Sequence, residues 1–124
     1  MSDFTKSRIS KSDNYSTPEW IYKELDDEFQ FNDDPCPLGG NGGLDREWGN
    51  SVFLNPPYSN PTPWLKKAHE ESIKGKRVVG LLRGDTSTKW FHDWVLPYAE
   101  LRFVKGRLKF NGKPAPFPSI IAIW

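Results

Sequence analysis

Ser51-Val52-Phe53-Leu54-Asn55-Pro56-Pro57-Tyr58 is the stretch on which the reading of this chain turns. A short apolar run that meets two prolines is a buried strand, stopped where the backbone can no longer donate to a ladder. The rhythm around it repeats. Upstream, Thr17-Pro18 reads as an N-cap followed by proline in the first helical position, and Ile21, Leu25 and Phe29 fall four apart, which predicts a helix over 18–29. A short strand is expected over Phe29–Asp33, followed by a loop in which Pro35, Pro37 and Gly39, Gly40, Gly42 and Gly43 exclude regular structure. Downstream, Thr62-Pro63 repeats the start signal, Leu65, Ala68, Ser72 and Ile73 form a stripe, and Gly75 marks a stop. Arg77–Leu82 reads as a strand, and Ser87–Leu96 as a helix with Trp90, Phe91, Trp94 and Val95 on its core face. Strands are expected again at Glu100–Val104 and Ser119–Trp124, with Leu108–Phe110 and an Asn111-Gly112 turn between them.

Strands alternating with helices predict an α/β fold: a mainly parallel sheet covered on both faces and finished by an antiparallel C-terminal strand pair. Such sheets bind ligands beyond the carboxyl ends of their strands. Those ends carry Asp33 and Asp34, then Asn55 to Tyr58, then Arg83-Gly84-Asp85.

The chemistry of Asn55-Pro56-Pro57-Tyr58 follows from its residue types. Two prolines hold the chain extended, so the Pro56 carbonyl is not absorbed into a helix. Together with the side-chain oxygen of Asn55 it can present two acceptors to one point. An exocyclic amine held by both N–H bonds turns its lone pair toward an electrophile, while Tyr58 can stack on a flat ring. A purine flipped out of a duplex meets this description.

The length of 124 residues fits one compact domain, with residues 1–14 as a flexible leader and 15–124 as the folded unit. Net charge is only +1, but residues 1–50 hold 5 Lys/Arg against 11 Asp/Glu and residues 51–124 hold 12 against 5. The basic second half suggests a polyanionic partner. Arg102, Lys105, Arg107, Lys109 and Lys113, interleaved with Phe103 and Phe110, fit phosphate contacts along a hairpin or, equally, an ordinary solvated face. Arg83 suits a site edge or a simple pairing with Asp85. The single cysteine, Cys36, excludes an internal disulfide and reads as a small buried filler. No zinc ligand set is present, no apolar run is long enough to span a membrane, and a cytoplasmic location is expected. Neither His69 nor His92 has a partner pattern that suggests catalysis, and of the six Trp, Trp48 is the candidate for lining a ligand.

Taken together, Tyr15-Ser16-Thr17-Pro18-Glu19-Trp20, Asp34-Pro35-Cys36-Pro37, Gly43-Leu44, Trp48, Asn55-Pro56-Pro57-Tyr58-Ser59, Trp90-Phe91 and Gly106-Arg107-Leu108 resemble the phage-type Dam family of DNA adenine methyltransferases. The resemblance runs from about residue 15 onward. It implies a reduced Rossmann-like fold and transfer of a methyl group from S-adenosylmethionine to the N6 amine of adenine in double-stranded DNA. If phage-encoded, the protein would work in the host cytoplasm. On the same analogy Thr17, Pro18, Asp34 and Pro35 face the methionine end of the cofactor, and Asn55, Pro56, Pro57 and Tyr58 hold the base.

The sequence also departs from the family-like pattern. It lacks a regular Gly-x-Gly after its first strand, and residues 35–54 are too few for two further strand–helix units. Because the first and fourth strands of such a sheet are neighbours, the sheet can survive that loss, but the carboxylate that grips the ribose is removed. Asp45 or Glu47 is the candidate substitute. Three other readings stay open: methylation of another planar amine in RNA or protein glutamine, a catalytically inactive nucleic-acid-binding accessory protein, and a homodimer whose copies complete each other's cofactor site.

Overall fold

A computed structural model describes residues 16–38, 40–110 and 112–124. The leader at 1–14, Tyr15, Gly39 and the Asn111 half of the expected turn lie outside the described residues. The elements in chain order are α1 (Glu19–Phe29), a 3-10 turn (Gly43–Asp45), β1 (Ser51–Leu54), α2 (Thr62–Ile73), β2 (Arg77–Arg83), a π-helical turn (Phe91–Val95), β3 (Glu100–Phe103), β4 (Lys109–Phe110), β5 (Lys113–Pro114) and β6 (Ser119–Ile123).

The sheet is mixed, which corrects the expectation of a mainly parallel one. Its order is β1-β2-β6-β3; β1 and β2 pair in parallel, whereas β6 pairs antiparallel with both β2 and β3. The physical reason is an insertion: β6 returns from the β4–β5 hairpin and enters between β2 and β3, so one reversed strand makes two antiparallel contacts. β3 therefore runs in the same direction as β1 and β2, and their carboxyl ends share one edge. The strand expected at Phe29–Asp33 contracts to a parallel bridge, Asp33 to Val52, because Phe29 still belongs to α1 and Gln30 turns the chain through φ 53°. Asn32 N–H donates to the Ser51 carbonyl (2.8 Å) and Phe53 N–H to that of Asp33 (3.0 Å), so this segment still flanks β1.

Strand alternation divides the core into two layers. Val52, Leu54, Val78, Leu82, Ile120 and Ala122 face α2 and the π turn, where Leu65, Ala68, Phe91 and Val95 cover them. Phe53, Val79, Leu81, Ile121 and Ile123 face the other way, under Ile21 and Leu25 of α1 and under Leu108, Phe110, Ala115 and Phe117. Gly80 has a steric role, since a Cβ there would stand 3.0 Å from the Trp124 ring. Trp48 is buried in the first layer, with its indole N–H donating to the Gly43 carbonyl at 2.7 Å, so it braces the loop. The helix expected over Ser87–Leu96 carries a π turn: Leu96 N–H reaches the Phe91 carbonyl at 2.8 Å before Pro97 ends it.

Candidate active site at the carboxyl edge of the sheet

The start of α1 is where local sequence and tertiary structure part company. Thr17 does not cap the helix; the N-cap is Pro18, without a side-chain cap bond, and the helix proper begins at Glu19. Instead the Thr17 hydroxyl accepts a 3.1 Å hydrogen bond from the Asn55 side-chain amide. That bond commits the amide nitrogen of Asn55 to Thr17 and turns its oxygen the other way. Two segments 38 residues apart are thereby joined at the end of β1.

Ser16, Thr17, Tyr22, Asp34, Cys36, Pro37, Leu38, Phe53 and Asn55 line a cleft of about 280 Å³ at this edge. Three of the sequence-predicted residues, Thr17, Asp34 and Asn55, therefore share one cavity. Pro18 and Pro35 are not in its wall; Pro35 is fully buried behind it. Cys36 is half-buried in the wall, packed against the first core layer. Tyr22 and Phe53 were missed from sequence. Strand alternation carried the signal for Phe53, which faces opposite to Val52 and Leu54, and Tyr22 sits one residue off the Ile21–Leu25 stripe.

The two adjacent aspartates take opposite roles. Asp33 receives two hydrogen bonds from the Arg46 guanidinium (2.8 and 2.9 Å) and one from Gly49 N–H (2.9 Å). The Arg46 hydrogen bonds, helped by Gly49, hold its carboxyl below the ordinary carboxylate range. It is a clamp that closes the Gly-rich loop. Asp34 keeps a solvent-accessible face but is pushed above the ordinary range, first by desolvation in the cleft and then by the neighbouring Asp33 charge, against a hydrogen bond from Cys36 N–H. A carboxylate on the cleft wall whose pKa is raised, with a second acid beside it, is suited to a cationic ligand. The Tyr22 hydroxyl is likewise raised by desolvation, with the Asp26 and Asp34 charges adding to it.

Loop geometry explains why the glycines are displaced from a regular pattern. A Cβ on Gly43 would stand 1.9 Å from the Pro35 carbonyl oxygen, so only glycine lets the 3-10 turn close against the Pro35 backbone. That turn carries Asp45 outward to an exposed position away from the cleft lining. Glu47 is exposed too, and pairs with Lys76 (3.2 Å) and Lys74 (3.7 Å).

In the Asn-Pro-Pro-Tyr segment, Pro56 is fully buried and Tyr58 is half-buried, its ring meeting Phe117 edge-on at 5.1 Å and 88°. Among the basic candidates, Lys105, Arg107 and Lys109 are exposed, as is Lys113. Arg107 reaches the Ala115 carbonyl at 3.4 Å. Arg102 lies on β3, outside the hairpin, and makes a two-pronged pair with Glu28 of α1 (2.7 Å each). Arg83 sits 3.0 Å from Asp85. Among the described residues no group of three or more His, Cys, Asp or Glu could hold a metal ion, and no helix is long and apolar enough to cross a membrane.

An α/β domain with a polar, partly aromatic cleft at the carboxyl edge of its strands is the class that fold and site define. Residues 4–119 match the family DNA N-6-adenine-methyltransferase (Dam). The DNA N-6-adenine-methyltransferase of Haemophilus phage HP1 (strain HP1c1) is 34% identical over 117 residues, covering 81% of this chain and 68% of that protein. A DNA N-6-adenine-methyltransferase of Escherichia phage T1 is 39% identical over 67 residues, 52% of this chain and 28% of that protein. No solved structure matches the chain. This protein belongs to the DNA N-6-adenine-methyltransferase (Dam) family.

Proposed function

We propose that this protein transfers a methyl group from S-adenosylmethionine to the N6 amine of adenine in DNA, on a reduced Rossmann-like sheet. The observation that carries the reading is the Thr17–Asn55 contact in the lining of a cleft that Asp34, Tyr22 and Phe53 also line. That donor set fits the cofactor in part: the Asp34 carboxylate suits the ammonium of its methionine end, hydroxyls of Ser16 and Thr17 suit the adjoining carboxylate, and the aromatic walls suit a flat ring or a sulfonium. The ribose has no equivalent carboxylate among the residues lining the cleft. When bound, the cofactor supplies an activated methyl group.

The protein's own part is alignment. Asn55, with its amide nitrogen held by Thr17, offers its oxygen as one acceptor for the adenine amine, and the Pro56 carbonyl offers the second. Tyr58 stacks on the extruded base. Amine held through both N–H bonds presents its lone pair in line with the methyl group, and the N6 proton leaves afterwards, so no strong base is needed. Double-stranded DNA is the substrate this chemistry implies, with Lys105, Arg107 and Lys109 on phosphates. Incubation of the protein with methyl-labelled cofactor and unmethylated duplex, followed by nucleoside analysis, tests the reading. N6-methyladenine in the product supports it; cofactor binding without label in DNA would redirect it to another amine.

Asp34 gives a pH signature. Only its ionised form pairs with an ammonium, so cofactor affinity should be full at higher pH and fall as pH drops through the raised pKa of Asp34, earlier than for an ordinary aspartate. Asp34→Asn should weaken binding about 10- to 100-fold, the usual worth of a charge-assisted hydrogen bond, and flatten the profile. Calorimetric titration across pH measures both.

The hairpin makes a separate expectation. Lys109→Ala and Arg107→Ala should weaken binding on every duplex sequence and each lower the salt slope by about 1, because each removes one phosphate neutralisation. Fluorescence anisotropy at several salt concentrations reads this directly; unchanged slopes in both variants would take the hairpin out of the interface.

A further inference from the structure

Arg83 is the last residue of β2, three positions past Gly80, the partner of Leu54 at the end of β1, and its surroundings are those of a packing group more than of a phosphate ligand. Its guanidinium lies 4.7 Å from the Phe117 ring centre and 6.0 Å from that of Tyr58. Asp85, 3.0 Å from Nε, neutralises the charge locally. Phe117 is 3% exposed and contacts Phe110 of β4 at 6.2 Å, so it links the basic hairpin to the second core layer. The pairing of Arg83 with Ser119 and the hydrogen bond from Gly84 N–H to the Pro118 carbonyl (2.8 Å) fix this corner. Between Pro56, Tyr58, Pro61, Leu82, Arg83 and Trp90 there is a void of only about 10 Å³, too small for a ligand, so the Tyr58 segment is closely packed on this side.

We propose that Arg83 and Phe117 are positioning residues that set the tilt of the Tyr58 ring and couple the seating of the hairpin on DNA to the base pocket. The proposal deepens the adenine-methylation reading and rests on it. Tyr58 follows two prolines in a turn, where the backbone alone leaves its side chain several rotamers. An edge-on aromatic contact combined with a planar cation selects one, and a planar guanidinium can lie over two rings where an ammonium cannot. Because Phe117 and Phe110 belong to the same layer, a hairpin displaced from DNA would displace the ring contact as well.

The test compares wild type, R83K and F117L. In R83K the charge is kept and the planar group is lost. Methyl-transfer kcat should fall about tenfold, as expected for a misplaced reacting group, with KM for duplex, the salt slope and cofactor affinity within twofold of wild type. The fluorescence rise of 2-aminopurine at the target position should shrink, and the Tyr58 ring proton resonances should move. F117L should show the same pattern, and R83K decides the matter if F117L does not fold. Unchanged kcat in R83K, with weaker duplex binding and a lower salt slope in Arg83→Ala, would make Arg83 a phosphate contact and overturn the proposal. Should wild type itself fail to methylate adenine, the functional reading falls separately. The Tyr58 resonances then judge the stack: movement in R83K supports it and identical resonances overturn it.

Discussion

Asn55→Ala should reduce methyl transfer by about 10²- to 10³-fold or more while leaving the protein folded. The expected size is that of removing one preorganised polar group from the reacting centre. Asn55 is half-buried, and the loss of its bond to Thr17 alone costs about 1 kcal/mol, a few degrees of melting temperature. Thr17→Val is the informative companion. It leaves Asn55 in place but removes the acceptor that holds the amide nitrogen and one of the two hydroxyls set against the cofactor carboxylate, so transfer at saturating cofactor should fall about tenfold while cofactor affinity also weakens. Single-turnover rates, together with circular dichroism of each variant, separate the two effects. Transfer at near wild-type rate in Asn55→Ala would remove Asn55 from the site.

Glu71→Ala should be strongly destabilising. Glu71 is 1% exposed and receives hydrogen bonds from Lys76 (2.6 Å), Lys67 (3.3 Å), Lys74 (3.4 Å) and Trp48 N–H (3.3 Å). Lys76 also donates to the Trp48 carbonyl at 2.6 Å, so this one carboxylate gathers α2, the start of β2 and the loop that borders the cleft. Burial by itself raises its pKa, but the Lys76 hydrogen bond and those of Trp48, Lys67 and Lys74 outweigh burial and bring it to about 2. Truncation leaves largely buried Lys76 without its central partner, a change of about 3 kcal/mol and roughly 10 °C in melting temperature. The pH dependence has a definite sign. Since the folded state binds the Glu71 proton less tightly than the unfolded chain does, its contribution is full above the ordinary glutamate range near 4.5 and is lost as pH falls through about 2. Glu71→Gln should therefore flatten the stability profile between those two values. Thermal melts from pH 2 to 6 measure it, and parallel wild-type and Gln profiles would show that the cluster contributes nothing through its charge.

The edges of most elements were legible because they are written locally. Leu54 followed by Asn55-Pro56-Pro57 stops a strand whatever surrounds it, and the glycines of 39–43 exclude a helix by backbone freedom alone. The cleft was legible in outline for the same reason: Asp34 and Asn55 each follow a segment that runs along the sheet, and parallel neighbours must bring their ends to one side. The two roles given to the Asp33-Asp34 pair were not legible, since nothing within the pair distinguishes the residue that Arg46 reaches from the one that faces the cleft.

By itself, then, the sequence determined the approximate extent of most strands and helices, that they alternate, and that Asn55-Pro56-Pro57-Tyr58 lies at a strand's carboxyl end. These follow from periodicity, proline geometry and glycine freedom, which act over a few residues. Only the tertiary structure decided the rest. It reversed one strand between β2 and β3, drew Thr17 from helix capping to Asn55, and buried Trp48 against Gly43. It also spent Asp33 on Arg46 and gathered three lysines on Glu71. Each of these outcomes depends on which distant partner a polar group or a strand edge meets. Proline, glycine and apolar spacing restrict the local backbone, but they leave that choice to packing across the sheet.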